Sequence, residues 1–464
     1  MSFNSFDFIL LFWPIVCILY YFPTKHRRPI WNVWILILTS LAFYWISDGI
    51  LVAFLIGTTL VNFAIYHCIQ KYRRKALLIG GIIFNVLLLV ASKYVNFGID
   101  LSNRFLGTSF HIVELIVPLG ISFITFQNIA YLVDSYKNPD MNVKIAEFGL
   151  FSSFFPHITS GPILSSDFIR QIKNLKVEIN WENIAQGIFL FVLGLSKKTL
   201  LGDALGKAVD VGYSLEGPMN TATSVFVIVA YTLQIYFDFS GYCDMAMGIA
   251  KTFNFELPLN FDSPYRAVGI GDFWNRWHIT LTKFFTRYVY IPLGGNRKGK
   301  LRTCINTMIV FLISGLWHGA SILFVGWGLL HGLFMVFEKM NSTWINRIPK
   351  AVRWLLTFVF VNLTWVLFRS GSFGTAVRVF EGLLNPGRLS ENVLGCFNDS
   401  FIPESYTAWG YLIIGFIISV LPKNGFRLSE SNRYGILRGC YTLILLLMCV
   451  FSFSDVTTYI YAMF

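Results

Sequence analysis

Three of the chain's seven histidines, His278, His318 and His331, fall between Phe273 and Glu338, in a stretch that mixes basic and apolar segments. It reads FWNRWHITLTKFFTRYVYIPLGGNRKGK, then an apolar run broken by SGLWHGAS and closed by GWGLLHGLF. An imidazole shielded from water stays neutral near pH 7, because desolvation disfavours its charged form, and neutral is what a general base must be. His318 lies between Gly315 and Gly319, with Ser314, Trp317 and Ser321 close by, so small residues let backbone or substrate approach the ring. On a helix starting at Asp272, the residues Trp274, His278, Leu281 and Phe285 follow the i, i+4, i+7, i+11 spacing, while Arg276, Thr280, Lys283 and Arg287 make the opposite stripe. His278 is therefore expected on the apolar face. The basic stripe is expected at the cytoplasmic interface, where it suits lipid headgroups or the phosphates of a donor. His331, between Gly328 and Gly332, suits a closely packed helix and a structural hydrogen bond, with lining of a reaction path as the alternative. His278 and His318 each have a structural alternative too, as hydrogen-bonded core residues. For His318, a short half-helix and a second inward histidine favour chemistry.

Other polar groups in apolar runs need partners as well. In YTLQIYFDFSGYCDMAMG, Tyr231 to Gly248, helical spacing puts Tyr231, Gln234 and Asp238 on one face with Gly241 or Tyr242. Asp238 and Asp244 then require a His, Arg or Tyr. A carboxylate there is a candidate to orient a histidine, as in triad logic, or to serve as structural polar glue. FGLFSSFFPHITSGPI, Phe148 to Ile163, is too interrupted by Pro156, Gly161 and Pro162 for a clean span. It is expected to be re-entrant or interfacial, with His157 bonding backbone freed by Pro156. HExxH, Cys/His clusters, paired Asp motifs, Walker and GxGxxG loops and the GxSxG elbow are all missing from the sequence. No metal site and no serine acyl-enzyme of that type is expected.

The elements that must position these residues are membrane helices. A chain of 464 residues that is 55% hydrophobic, 17% aromatic and only 13% charged has more apolar surface than an ordinary soluble core hides. It is expected to be an all-α polytopic membrane protein. The net charge of +12 comes from short clusters between apolar spans, the pattern of cytoplasmic loops rather than of a nucleic-acid-binding surface. Seven cysteines without a CxxC read as small core residues. The first apolar segment lacks a basic leader and a small-residue cleavage site, and reads as a retained span. Spans of about 20 residues are expected near 6–23, 30–47, 50–70, 77–96, 113–133, 184–202, 222–250, 353–369 and 438–454, with a weaker run at 408–421. Residues 304–316 cover only about 20 Å at about 1.5 Å per residue, short of a hydrocarbon core of about 30 Å. With 321–338 following at once, a re-entrant hairpin is expected, its turn near His318 lying within the membrane's depth. If the N-terminus is outside, the basic clusters Lys25 to Arg28, Lys71 to Lys75, Lys137 to Lys176 and Lys251 to Arg302 all face the cytoplasm. That gives about eleven passes in one integral domain, 1–464, without internal repeats or heptads.

Several blocks, taken together, carry a family likeness: PLGISFITFQNIAYLVDSY from Pro118, FFPHITSGPI from Phe154, QIYFDFSGYCDMAMGIA from Gln234, LNFDSPYRA from Leu259, DFWNRWHITLTKFF from Asp272, YIPLGGNR from Tyr290, and SGLWHGAS with GWGLLHG. Over residues 110–340 the chain resembles the membrane-bound O-acyltransferase (MBOAT) superfamily and, within it, the alginate O-acetyltransferase AlgI-like branch. The resemblance implies a ring of transmembrane helices with re-entrant segments around a central funnel. It matches His318 to the superfamily's key histidine and His278 to its second characteristic position. It further implies a multi-pass protein of the bacterial cytoplasmic (inner) membrane, with acetyl-CoA as donor substrate and no permanently bound cofactor. The acceptor would be a polysaccharide hydroxyl outside the cytoplasm, often reached through a partner of the SGNH or AlgX/AlgJ type. Arg276, Lys283 and Arg287 would hold the donor's phosphates, and Asp238, Trp317 and His331 would support the site. Two positions depart from the family pattern. Arg287 stands in Thr286-Arg287-Tyr288 where RDYLYIPLGG has an acidic residue, and His157 stands where glutamine is more usual. Alternatives are D-alanylation of teichoic acid, acylation of a lipid or protein, and, in another class, a transporter or flippase, which predicts inverted repeats and paired broken helices.

Overall fold

Lipid offers backbone N–H and C=O groups no partner, so a chain this apolar satisfies them inside helices. The computed structural model describes residues 1–22, 29–115, 117–398, 403–430, 435–453 and 459, and the regular structure among them is entirely helical. Seven helical stretches are long and apolar enough to cross a membrane: Pro29–Tyr72, Lys75–Lys93, Trp181–Ser214, Thr221–Thr252, Gly299–His318, Ile322–Met340 and Lys350–Arg369. Shorter apolar helices at Asp7–Tyr21 and Ile436–Phe451 match the first and last expected runs. The chain is an all-α, multi-pass membrane protein. Of the basic clusters that set the expected topology, Lys25 to Arg28 lies outside the described residues.

The contacts divide the chain into two units. One contains Met1–Phe191 and Cys243–Pro258. Its helices are tied by buried polar pairs: Asn62 and Asn85 exchange amide hydrogen bonds of 3.2 and 2.7 Å between Val52–Tyr72 and Lys75–Lys93. Such pairs keep amides out of hydrocarbon while fixing one helix on another. The expected interruption of Phe148 to Ile163 is present. The Ile145–Ser153 helix stops short of Pro156, and the irregular chain that follows is buried in protein. There the Phe155 N–H donates to Ser40 Oγ at 3.0 Å, and His157 packs against Phe154 and Phe168. The span expected at 113–133 is displaced. Its helix is Ile121–Lys137, opening after Gly120, which sits at φ +71°.

The second unit contains Val192–Tyr242 and Leu259–Ile460 and holds all three histidines of the opening stretch. Here the expected half-helix is corrected: residues 304–316 belong to a helix of 20 residues, Gly299–His318. The apolar run ends near Cys304, but helix geometry continues through Lys300 and Arg302, whose long side chains can lay their stems along apolar surface and keep their charges in water. At about 1.5 Å per residue this helix is about 30 Å long, enough to span. His318 therefore closes a full-length helix instead of breaking one. The following helix, Ile322–Met340, packs back so tightly that a Cβ built on Gly315 would overlap the Phe324 carbonyl, and one on Gly328 the Phe311 carbonyl. Gly328→Leu is expected to force the helices apart and to cost at least the roughly 1–3 kcal/mol of an overpacked core. Gly326→Leu, at a position with nothing within 4 Å, is expected to leave the unfolding midpoint in detergent unchanged. Equal midpoints for the two variants would contradict the close approach.

Candidate active site

His318 ends its helix because the chain turns at Gly319, and Ser321 opens the next helix by accepting the Leu323 N–H at 3.3 Å. The imidazole is 1% exposed. It meets Trp327 and Phe368 edge-on, each at 5.0 Å between ring centroids, and lies 4.7 Å from the Trp317 ring.

His278 reaches the same region by a different route. The single helix expected from Asp272 onward is two short ones, Ile270–Arg276 and Ile279–Phe285, with His278 between them in the left-handed region at φ +45°, ψ +52°. A non-glycine residue there is uncommon and needs surrounding contacts to hold it. Asn260 supplies them. Its backbone oxygen accepts the Ile279 N–H at 3.0 Å. Its Oδ1 accepts the Thr280 N–H at 3.2 Å and the Thr280 hydroxyl at 2.9 Å, and lies 3.2 Å from His278 Nδ1. Trp274, His278, Leu281 and Phe285 are buried as expected, but so is Thr280, which a continuous helix would have turned outward. The His278 ring sits 4.9 Å from Phe239 and 6.0 Å from Trp317. Trp317 is thus a wall common to both histidines.

His331 completes the cluster in a structural way. The Trp274 indole N–H donates to its Nδ1 at 3.3 Å, and its Nε2 lies 3.0 Å from Thr364 Oγ1. An indole only donates, so Nδ1 accepts and Nε2 carries the proton. Both ring nitrogens are therefore engaged. Trp327 bridges His331 at 4.8 Å and His318 at 5.0 Å, and stacks on Trp365 at 5.8 Å. Edge and face contacts with indoles also suit a histidine that gains charge transiently, since the aromatic face attracts a cation. A cavity of about 310 Å³ is lined by Trp274, Leu281, Phe285, Phe311, Ser314 and Lys339, among others. It reaches the indole that bonds His331 and the helical turn just before His318.

The other candidates are placed differently. Arg276 pairs with Asp272 at 2.7 Å and bonds the Asp262 carbonyl, while Lys283 and Arg287 are exposed. Asp238 has a lysine partner, a residue type not among the His, Arg or Tyr expected for it. It pairs with Lys198 at 2.5 Å, and the same ammonium reaches Asp203 at 2.8 Å. The cause is a π-helical turn, Lys197–Gly202, that interrupts the expected 184–202 span and turns Lys198 inward. The lysine inside an apolar run was the readable signal, since buried charge demands a partner. Asn260 and Trp327 carried no such signal. Asn260 lies 18 residues from His278 in sequence, and nothing in helical spacing links them.

A model described as the membrane-bound O-acyltransferase family matches residues 127–370. A peptidoglycan O-acetyltransferase of Helicobacter pylori is 36% identical, covering 93% of this chain and 91% of its own. A probable alginate O-acetylase AlgI of Pseudomonas aeruginosa is 32% identical, covering 90% and 81%. A teichoic acid D-alanyltransferase of Bacillus subtilis is 27% identical over 56% of this chain and 70% of its own.

Proposed function

Because this chain belongs to the membrane-bound O-acyltransferase family, we propose that it takes an acetyl group from cytoplasmic acetyl-CoA and delivers it to a polysaccharide hydroxyl across a bacterial inner membrane. The observation that carries this reading is the pair of buried imidazoles, His278 and His318, packed against one indole, Trp317. In the proposed step His318 takes the proton of the acceptor hydroxyl as its oxygen bonds to the thioester carbonyl carbon. The C–S bond then breaks, and the departing thiolate receives that proton. His278 either orients the acceptor or supports the developing oxyanion. Lys283 and Arg287 are the exposed basic groups for the donor's phosphates, with Arg276 in a lesser part because Asp272 already holds it. Asp238 and His331 hold the frame around the histidines.

The relatives favour acetyl over D-alanyl transfer. Those named for O-acetyl transfer, to peptidoglycan or as alginate O-acetylase, align with at least 90% of this chain in the two cases above, the D-alanyltransferase with 56%. An acceptor outside the membrane fits an extracytoplasmic partner of the SGNH or AlgX/AlgJ type. The test offers purified protein acetyl-labelled CoA and, separately, a D-alanyl carrier protein. Turnover of the acetyl thioester alone is expected. Turnover of the carrier protein with none of acetyl-CoA would replace this reading with the D-alanyl one.

A further inference from the structure

We infer that Asn260 is a positioning residue of this site: its side-chain oxygen sets His278 as the Nδ1–H tautomer, so that Nε2 is the basic nitrogen offered to substrate. The inference rests on the part in acyl transfer proposed above for His278. The Thr280 backbone N–H points at the Asn260 side chain from 3.2 Å, and the Thr280 hydroxyl meets the same atom at 2.9 Å. A backbone N–H can only donate, so that atom is the amide oxygen, and the orientation of the side chain follows. An imidazole nitrogen 3.2 Å from the same oxygen must then carry a proton. In a neutral ring the lone pair is left on Nε2. His331 is held in the opposite tautomer by a neighbour of opposite character, the Trp274 indole N–H.

Asn260 also grips the backbone on the far side of the left-handed residue, through the Ile279 N–H. Ring tautomer and ring direction are therefore set by one buried side chain and its own carbonyl. An amide achieves this without placing a charge beside the imidazole, whose facing side chains Phe239, Phe261 and Trp317 are uncharged. The consequence selects between the two parts left open for His278. Nε2 with a lone pair accepts a hydroxyl hydrogen, and it cannot donate to an oxyanion. His278 thus orients a hydroxyl-bearing acceptor, leaving the proton transfer to His318.

Two measurements test this. In protein with ¹⁵N-labelled histidine rings, reconstituted in bilayers and assigned against His278→Gln, the His278 signals are expected to show a protonated Nδ1 and a bare Nε2. A protonated Nε2 in the neutral ring would overturn the inference without any Asn260 variant having to fold. In acetyl-transfer kinetics, Asn260→Ala is expected to lower kcat by about 10- to 100-fold, as for other groups that orient a histidine, with little change in KM for acetyl-CoA. Asn260→Asp keeps the acceptor oxygen and is expected to restore most of kcat. Its carboxylate favours the imidazolium, so the acid limb of the pH profile should move to higher pH. An aspartate variant no better than alanine, with the limb unmoved, would mean a merely structural residue. If His278→Ala keeps full transfer, the reading of the site fails; if it loses transfer while Asn260→Ala keeps wild-type kcat, only the present inference fails.

Discussion

His318→Ala is expected to lower the rate of acetyl transfer by about 10²- to 10⁴-fold, the usual contribution of a positioned general base. The loss should fall on kcat, with KM for acetyl-CoA nearly unchanged, because the proton is transferred only as the transition state forms. His318 closes its helix with its ring walled by Trp317, Trp327 and Phe368, and the next helix is capped by the Ser321 hydroxyl accepting the Leu323 N–H. Truncation therefore removes aromatic packing without removing a cap, and the variant should still fold. Steady-state transfer to a soluble acceptor, paired with a thermal unfolding scan in detergent, separates the two effects. A folded His318→Ala protein that turns over at near-normal rate would end the assignment of His318 as base.

The two histidines that the sequence brought forward for chemistry, His278 and His318, pack against one indole, Trp317, and they stood out because an ionisable ring in an apolar run is costly enough to be informative. Helix positions were legible for the same reason, since long apolar runs admit few structures in a bilayer. What stayed hidden was set by contacts between segments distant in the chain. Periodicity put His278 on the correct side but within a continuous helix; the actual break at Trp277 and His278 depends on Asn260, which arrives from another segment. Hydropathy began the helix that closes at His318 too late, because it scores Lys300 and Arg302 as loop while the backbone needs only hydrogen bonds to be helical there. The lysine partner of Asp238 was not foreseen for a related reason. A π turn changes which residue faces inward, and no 3.6-residue spacing anticipates it.

That turn sets the second large effect. Lys198→Met is expected to destabilise the protein by about 3–5 kcal/mol, the cost of leaving a buried ion pair with one charge uncompensated. Lys198 and Asp238 are each 2% exposed, and the ammonium also serves Asp203 and lies 4.9 Å from the Tyr459 ring. Methionine matches the length of the lysine stem and fills its volume, so the loss reports charge and not a cavity. The backbones come close here because small residues face each other: a Cβ on Gly241 would stand 2.7 Å from the Gly194 carbonyl, and one on Gly202 3.4 Å from the Asp238 nitrogen. At that separation the Asp238 carboxylate, 2% exposed, cannot swing out to water without parting the helices. Asp238→Asn added to Lys198→Met should recover much of the loss, since a neutral amide is far cheaper to bury than a lone carboxylate. Unfolding in mixed micelles of the two singles and the double gives the coupling directly. Strictly additive losses would show that Lys198 and Asp238 do not stabilise one another, and that the π turn is held by packing alone.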